Sequence, residues 1–315
     1  MTGLLDSTDR DQAARAAAER LGLLLGLLGV LAFAVTLPAT RLAVAEMPVW
    51  TVGFGRGALA GLAAGALLLI LRVPWPGRKD LPALAVTALG VVFGFPLLST
   101  WAMQSVPAAH GGVVIGILPL ATALAAALVA GERPSAGFWA TALLGSAAVV
   151  TFALLDTADG AAGSAAGLTG GDLALLAAVV AAGLGYAYGA RLSRHLPGWT
   201  VICWALVLSL PVMLPAAAVS WIAAPPSGAS AGAWAGFLYV ALVSQLAGFF
   251  VWYRGLALGG VARVGQVQLL QPFLTLLIAA LLLAEPITIT TLAFSVLVVG
   301  LVVIGRRQPI RRSPD

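Results

Sequence analysis

Charged residues are scarce in this chain. Asp, Glu, Lys and Arg make up 9% of its 315 residues, whereas soluble domains carry roughly 25% of these residue types. Hydrophobic residues make up 61% of the sequence, and the mean hydropathy is +1.02. This composition excludes a water-soluble globule and predicts an integral membrane protein.

Cysteine and histidine are scarce as well. The single Cys203 lies inside an apolar run, which excludes a disulfide framework or a CxxC site. His110 and His195 lie far apart in the sequence, so we expect no metal and no other cofactor. The GxSxG, HExxH and paired-aspartate patterns are missing, which disfavours an intramembrane enzyme. The basic residues behind the net charge of +5 form no single patch, which disfavours a nucleic-acid partner.

Long apolar runs are what the sequence has in abundance. A run of roughly 20 apolar residues is long enough to cross a ~30 Å hydrocarbon layer as a helix, and these runs are too long and uniform for barrel strands. Charges and Pro, Gly or Ser clusters separate ten of them: 21–43, 50–71, 82–103, 108–130, 136–155, 172–190, 199–221, 232–253, 262–284 and 288–305. The sequence therefore predicts an all-α integral membrane protein with ten transmembrane helices.

The polar stretches between these runs predict the organisation and the orientation. Of the 17 Lys and Arg residues, only Arg41 falls outside when the N-terminus is placed in the cytoplasm, and Arg56 lies within a segment. We therefore expect a multi-pass protein of the cytoplasmic membrane with both termini inside. The predicted parts are a cytoplasmic N-terminal tail (1–20), a first five-helix repeat (21–155), a flexible extracytoplasmic linker (156–171), a second five-helix repeat (172–306) and a basic cytoplasmic tail (307–315).

The two halves resemble each other when the second is shifted back by 153 residues. The matches that a composition rich in Ala and Leu does not explain are Gly112 with Gly265, Pro119 with Pro272, Thr122 with Thr275, and Glu132 with Glu285. Such a match indicates a duplicated unit. Because five is an odd number, two tandem copies must insert in opposite orientations, which predicts inverted-topology repeats.

A proline interrupts the fourth helix of each predicted repeat. Pro119 and Pro272 each remove a backbone donor near the middle of an apolar segment. The freed carbonyl must face protein or a wet cavity, so matched interruptions predict a central binding site and gating elements; a kink that only shapes packing is the alternative. Glu132 and Glu285 are predicted to end these helices and to act as structural hinges.

These motifs resemble the EamA type of the drug/metabolite transporter superfamily. The residues that carry the resemblance are Trp101-Ala102-Met103, Pro119 and Gly131-Glu132-Arg133 in the first half, and Trp252–Leu258, Pro272 and Ala284-Glu285-Pro286 in the second. The second copy departs from the pattern at Ala284 and Pro286. The resemblance implies two tandem five-helix units and the export of amino acids or other small metabolites through a central cavity.

Polar residues inside the predicted membrane segments are costly and are therefore candidate ligands of a substrate. The candidates are Gln271, Gln245, Trp101, Gln104, Tyr186 and Arg56. For the glutamines the alternative is an interhelical hydrogen bond, for Trp101 the interfacial aromatic belt, and for Arg56 snorkelling to the membrane surface. His110 is expected to be an exposed interfacial residue. No Asp or Glu lies in mid-membrane, which disfavours coupling through a buried carboxylate.

We therefore predict a secondary-type transporter that exports amino acids or similar small polar metabolites by alternating access. A channel and a broad drug or nucleotide-sugar carrier are the alternatives, with an intramembrane enzyme or a membrane scaffold more distant. The expected partners are the lipid bilayer and a small-molecule substrate, and a homodimer stays open.

Overall fold

The computed structural model describes residues 2–130, 132–158, 170–284, 289–308 and 310–312. Within these residues the chain forms ten helical segments, named α1 to α10 in chain order. Their bounds are Thr2–Ala34 continued by Thr36–Val44 (α1), Val49–Ile70 (α2), Leu81–Ala102 (α3), Ala108–Val129 (α4), Ala136–Ala158 (α5), Gly170–Leu192 (α6), Gly198–Ala223 (α7), Ala231–Gly259 (α8), Val261–Leu283 (α9) and Ile289–Arg306 (α10).

Eight of these segments, α1–α4 and α6–α9, are long and apolar enough to cross a membrane. The N-terminal residues predicted to be a tail are the first turns of α1, which begins at Thr2. Part of the predicted linker is also helical, since α5 continues to Ala158 and α6 begins at Gly170. The rest of that linker lies outside the described residues.

One short antiparallel ladder accompanies the helices. Strand β1 (Glu132–Pro134) pairs with strand β2 (Ile310–Arg312), and Glu132 lies opposite Arg312 in the register. The backbone of the predicted basic tail is therefore tied to the segment that follows α4. Elsewhere in the described part of the chain, helices and the turns that connect them make up the fold.

Four of the helices change their hydrogen-bonding pattern in their interiors. Both α3 and α8 contain a π-helix, at Leu89–Gly94 and Tyr239–Ala247. Both α4 and α9 contain a 3₁₀ turn, at Ile115–Ile117 and Gln266–Leu270. A shift of 153 residues places the π-helix of α3 inside the π-helix of α8. The same shift places the 3₁₀ turn of α4 inside the 3₁₀ turn of α9. The two halves thus share local irregularities as well as sequence.

Helices from the two halves pack against each other throughout the described fold. Extensive contacts join α1 with α8, α3 with α6, α2 with α7 and α4 with α6. Glycines allow the closest approaches: a Cβ on Gly255 of α8 would lie 2.8 Å from the backbone nitrogen of Gly26 in α1. Exchanging the halves converts the α1–α8 contact into the α6–α3 contact, so the packing follows the sequence repeat.

The segments α4 and α9 show the same exchange at the level of single residues. A Cβ on Gly112 would lie 3.2 Å from the γ-methyl of Thr275, and a Cβ on Gly265 would lie 3.2 Å from the γ-methyl of Thr122. Reciprocal contacts of this kind are typical of elements related by a two-fold axis. The start of each segment therefore packs on the later part of the other.

The described loops make contacts between the halves at two ends of the helices, which we name end A and end B. End A holds the ion pair of Glu19 with Arg263, and the contact of His195 Nε2 with Asp80 Oδ1 at 3.1 Å. The β1–β2 ladder joins two further segments that follow α4 and α10. Each of the two side-chain contacts links one residue from the first half with one from the second.

End B has two corresponding contacts between the halves. His110 Nε2 lies 2.8 Å from Asp172 Oδ1. The backbone nitrogen and the hydroxyl of Ser230, the N-cap of α8, donate to the Glu46 carboxylate at 2.7 and 2.8 Å. These bonds hold the pKa of Glu46 below its ordinary value, the backbone bond most strongly.

Candidate functional site

A small cavity lies at mid-length of six helices. Its volume is about 20 Å³, which gives room for about one water molecule. All but Phe95 of its lining residues are buried. Both halves contribute to the lining: Phe33, Thr36, Arg56, Val91 and Phe95 come from the first, and Ala182, Tyr186, Ser244, Gln245, Phe249 and Gln271 from the second.

Arg56 supplies the positive charge at the wall of this cavity. It lies seven residues into α2, about 10 Å along the helix axis, and 1% of its surface is exposed. Its Nη2 donates a long hydrogen bond of 3.4 Å to Ser244 Oγ, while Nε and Nη1 have no partner in the described protein. The side chain therefore does not snorkel to the membrane surface, which was the alternative interpretation of this residue.

Gln245 joins the π-helices of α3 and α8 across the cavity. Its Nε2 donates to the carbonyl oxygen of Val91 at 2.6 Å. Gln245 belongs to the π-helix of α8 and Val91 to that of α3. A π-helix displaces carbonyl groups from the regular α pattern and is frequent at functional sites. This hydrogen bond satisfies one such carbonyl and holds α3 against α8 beside Arg56.

Gln271 and the two interior prolines mark where α4 and α9 resume helical geometry. Pro119 and Pro272 each occupy the second position of the α-helical stretch that follows a 3₁₀ turn. Gln271 precedes Pro272 and lines the cavity, and its Oε1 has no hydrogen-bond partner among the described residues. The interruption in α9 thus presents an unused acceptor to the cavity, whereas Pro119 is buried without lining it.

Aromatic rings form the apolar part of the wall. Phe33 and Tyr186 stack at a centroid distance of 6.4 Å, and Phe249 lies 5.0 Å from Phe33. Trp252 packs behind them, 5.3 Å from Tyr186. Phe33 and Tyr186 are equivalent under the 153-residue shift, so the same repeat position supplies a ring from each half.

The structure brings four of the six predicted ligands together: Arg56, Tyr186, Gln245 and Gln271. The other two do not reach this cavity, because α3 carries them to end B. There Trp101 is 41% exposed and Gln104 donates to the carbonyl of Trp101 on the surface.

Of the two glutamates predicted to act as hinges, the structure describes the backbone of Glu132 only. Glu132 follows the end of α4 and begins strand β1 rather than ending the helix itself. Glu285 lies outside the described residues, just after Ala284 with its left-handed φ of 56°. Their hinge role stays a prediction.

Ser244 and Thr36 are cavity residues that the sequence reasoning missed. Their hydroxyl oxygens lie 2.8 Å apart, and Ser244 also accepts from Arg56. A hydroxyl in an apolar helix is common, so its presence alone gives little signal. The useful signal was the adjacent pair Ser244-Gln245, two polar residues in the middle of a hydrophobic run.

His110 was also misjudged, because it is paired rather than simply exposed at an interface. Its partner Asp172 is buried, with 5% of its surface exposed. The signal that could have found this contact is the repeat itself. The shift of 153 places Glu19 on Asp172 and His110 on Arg263, and Glu19 and Arg263 have opposite charges.

Fold and cavity together define a helical membrane protein of several spans with a polar site in its interior. The profile of the EamA-like transporter family matches residues 20–154 and again 169–305. The chain therefore belongs to the EamA-like transporter family, and the predicted resemblance is confirmed. The two matches correspond closely to the two halves described above.

Relatives with assigned names are transporters or exporters. The chain is 48% identical over 284 residues to an uncharacterized transporter, YdeK, of Bacillus subtilis, covering 90% of this chain and 96% of the relative. It is 29% identical over 288 residues to a probable terminal-alkyne amino-acid exporter of Streptantibioticus cattleyicolor, covering 90% and 93%. It is 29% identical over 253 residues to the aromatic amino acid exporter YddG of Ancylobacter novellus, covering 80% and 83%.

A solved structure shares the fold. It superposes with a TM-score of 0.70 and 22% sequence identity, over 91% of this chain and 98% of the other. At this identity the likeness concerns the arrangement of helices and not the ligand.

Proposed function

We propose that this protein is a secondary transporter that exports amino acids or similar small polar metabolites by alternating access. The observation that carries the proposal is the cavity, which presents an arginine, two glutamines and the hydroxyl groups of a serine and a threonine among apolar side chains, is buried at mid-length of six helices, and is lined by both halves. Polar groups at this depth are costly in a membrane protein and are retained where they contact a substrate. The names of the relatives support export as the direction and amino acids as the class.

The proposed topology has ten spans in two inverted repeats, with end A in the cytoplasm. It is supported by the contacts at the two ends, since within each half the residues that make them alternate between end A and end B in chain order. The reciprocal Gly112–Thr275 and Gly265–Thr122 contacts also favour antiparallel halves. Each half alone has an odd number of segments, so its copy must run the opposite way across the membrane.

The contacts at the two ends support alternating access. Glu19–Arg263 and Asp80–His195 close end A, while His110–Asp172 and Glu46–Ser230 close end B. All four join one half to the other, so each end opens only if the halves separate there. With both ends closed, about 20 Å³ is too little for an amino acid. Substrate entry therefore requires a rocking motion of one half against the other.

Counterflow into proteoliposomes tests the transport function. Vesicles containing the purified protein are loaded with an unlabelled amino acid, and uptake of the labelled compound is followed for a panel of amino acids, amines and sugars. We expect saturable exchange of one class, which would also exclude a simple channel. Gln271→Ala should lower this exchange roughly tenfold, because it removes a hydrogen bond at the site.

A matched control is Gln12→Ala, since Gln12 is exposed near the N-terminus. It should keep the wild-type rate. If no compound in the panel exchanges, or if uptake rises linearly with concentration without saturation, the carrier proposal fails.

Labelling with a membrane-impermeant maleimide tests the orientation. In a Cys203→Ala background, Lys79→Cys places a thiol at end A and Ser227→Cys places one at end B, and both positions are exposed. In intact cells we expect labelling of Ser227→Cys alone. Labelling of Lys79→Cys alone would reverse the orientation, and labelling of both would contradict the span count between them.

A further inference from the structure

Arg56 is a buried cation without a counter-ion. No carboxylate forms an ion pair with it among the residues that the structure describes, and two of its three nitrogens have no hydrogen-bond partner. The guanidinium stays charged in proteins, and an unpaired buried charge is strongly unfavourable. A neutral side chain would pack there at lower cost, so the position calls for a ligand of opposite charge.

We propose that Arg56 binds a carboxylate of the transported compound, and that the substrate is a monocarboxylate with an apolar or aromatic remainder. This inference rests on the proposed transport function and names the substrate class of the same cavity. A guanidinium presents parallel N–H groups that match the two oxygens of a carboxylate. Nη2 has two N–H groups and donates one of them to Ser244, while Nε and Nη1 donate none to the protein. The second N–H of Nη2 and the neighbouring N–H of Nε or Nη1 therefore form such a parallel pair.

The charge of the cavity limits the substrate to one negative charge. Arg56 is the one charged residue among those lining the cavity. A phosphate monoester carries about −1.5 to −2 at neutral pH, so Arg56 would leave part of that charge buried without compensation. A single carboxylate is neutralised fully, which is why the cavity favours carboxylates over phosphorylated compounds.

The remaining lining describes the rest of the substrate. Phe33, Tyr186 and Phe249 offer ring surfaces to an apolar or aromatic group. Gln271 Oε1 is an unused acceptor that suits a hydroxyl or an ammonium group. Because no lining residue is acidic, an ammonium group meets neutral acceptors only. A carboxylate is therefore required for recognition, whereas an amino group is optional.

Three compounds that share one aromatic ring separate these requirements. L-phenylalanine has both charged groups, phenylpropanoate lacks the amino group, and phenethylamine lacks the carboxylate. Each compound is added to proteoliposomes with the full chain, and counterflow of the labelled compound that the panel has identified is measured. We expect phenylalanine and phenylpropanoate to inhibit this counterflow and phenethylamine to leave it unchanged. In detergent, the same two acids should raise the melting temperature and the amine should not.

Arg56→Gln tests whether this residue is the anchor. The variant should weaken inhibition by both acids roughly tenfold to a hundredfold, the loss expected when a hydrogen-bonded charge partner is removed, and it should abolish their thermal shift. Without ligand it should melt at the wild-type temperature or above, because an unpaired buried charge has gone. Arg56→Lys keeps the positive charge but lacks the parallel N–H groups of a guanidinium, so it should retain part of the affinity for the two acids. Arg191→Gln, at an exposed arginine at the end of α6, is the matched control and should behave as wild type.

The possible failures are distinguishable. If phenethylamine competes as well as the acids, or if Arg56→Gln keeps the wild-type affinity for them, the carboxylate inference is wrong while transport stands. If Arg56→Gln melts far below wild type and retains the thermal shift with phenylpropanoate, Arg56 has a structural role instead. If none of the three probes inhibits counterflow or shifts the melting temperature while another compound of the panel exchanges, the carboxylate inference is wrong and transport stands. If no compound of the panel exchanges, both this inference and the proposed function are overturned.

Discussion

End A and end B are closed by contacts at equivalent positions but with different chemistry. The main contact at end A joins Glu19 to the guanidinium of Arg263, and the corresponding contact at end B joins Asp172 to the imidazole of His110. A shift of 153 residues converts one pair into the other, so duplication explains why both ends have an acidic residue on the first helix of one half and a basic residue on the fourth of the other.

The second contact at end A also differs in chemistry from the second contact at end B. Asp80 and Ser230 are both N-cap residues, of α3 and of the equivalent α8. At end A the partner of Asp80 is His195, whereas at end B the partner of Ser230 is the carboxylate of Glu46. The duplicated backbone therefore fixes where the halves meet, and individual side chains decide what holds them there. Two ends of unequal chemistry can open with unequal ease under the same conditions.

Locking either end should have the largest effect on transport. In a Cys203→Ala background, Glu19→Cys with Arg263→Cys at end A, or His110→Cys with Asp172→Cys at end B, can be joined by a cleavable bifunctional methanethiosulfonate. Because alternating access needs both ends to open in turn, we expect each cross-link to reduce counterflow at least roughly tenfold.

Reduction of the cross-link should restore the rate, and each single-cysteine variant treated with the same reagent is the control. If locking one end leaves counterflow intact while locking the other stops it, the two ends are not alternative gates. The difference between the contacts at end A and end B would then concern the packing of the halves and not transport.

Crowding the contact between α4 and α9 should have an intermediate effect on stability. Gly112→Val and Gly265→Val each place a branched side chain against a threonine, at reciprocal positions. Overpacking of this kind costs about 1–3 kcal/mol, and we expect both variants to lower the melting temperature by similar amounts. Gly300→Val is the control, because a Cβ at Gly300 meets nothing within 4 Å. Clearly unequal changes in melting temperature for Gly112→Val and Gly265→Val would show that the halves are not packed symmetrically.

Removing the Glu46–Ser230 contact at end B should have the smallest effect on stability. The size of this effect should depend on pH. The hydrogen bonds of this contact lower the pKa of Glu46 in the folded protein, so the stabilisation is present above the unfolded value of about 4.3 and is lost as pH falls through the lower folded value. Glu46→Ala should therefore melt slightly below wild type at neutral pH, and the difference should shrink in acid. A difference that grows as the pH falls would contradict this assignment.

Sequence patterns predicted the membrane class, the positions of the apolar segments and the paired prolines, because these features depend on local composition and on the comparison of one half with the other. They also indicated Gln271 and Gln245, since a glutamine in mid-membrane is costly wherever it lies. They did not indicate the π-helices or the strand pairing of Glu132. A change of hydrogen-bond register is decided by what the neighbouring helices offer to the freed carbonyls, as Gln245 does for Val91.

The sequence by itself determined that this chain is a duplicated, membrane-embedded bundle of helices, because hydrophobic run length and repeat spacing are one-dimensional properties. The tertiary structure alone decided which polar residues meet. Arg56 and Ser244 lie 188 residues apart in the chain and share one cavity wall, while Trp101, in a helix of the same apolar character, and Gln104, in the turn that follows it, lie at a surface. In a uniformly apolar helix no local signal distinguishes the face toward the partner helix from the face toward lipid, so helix packing alone selects the residues of the site.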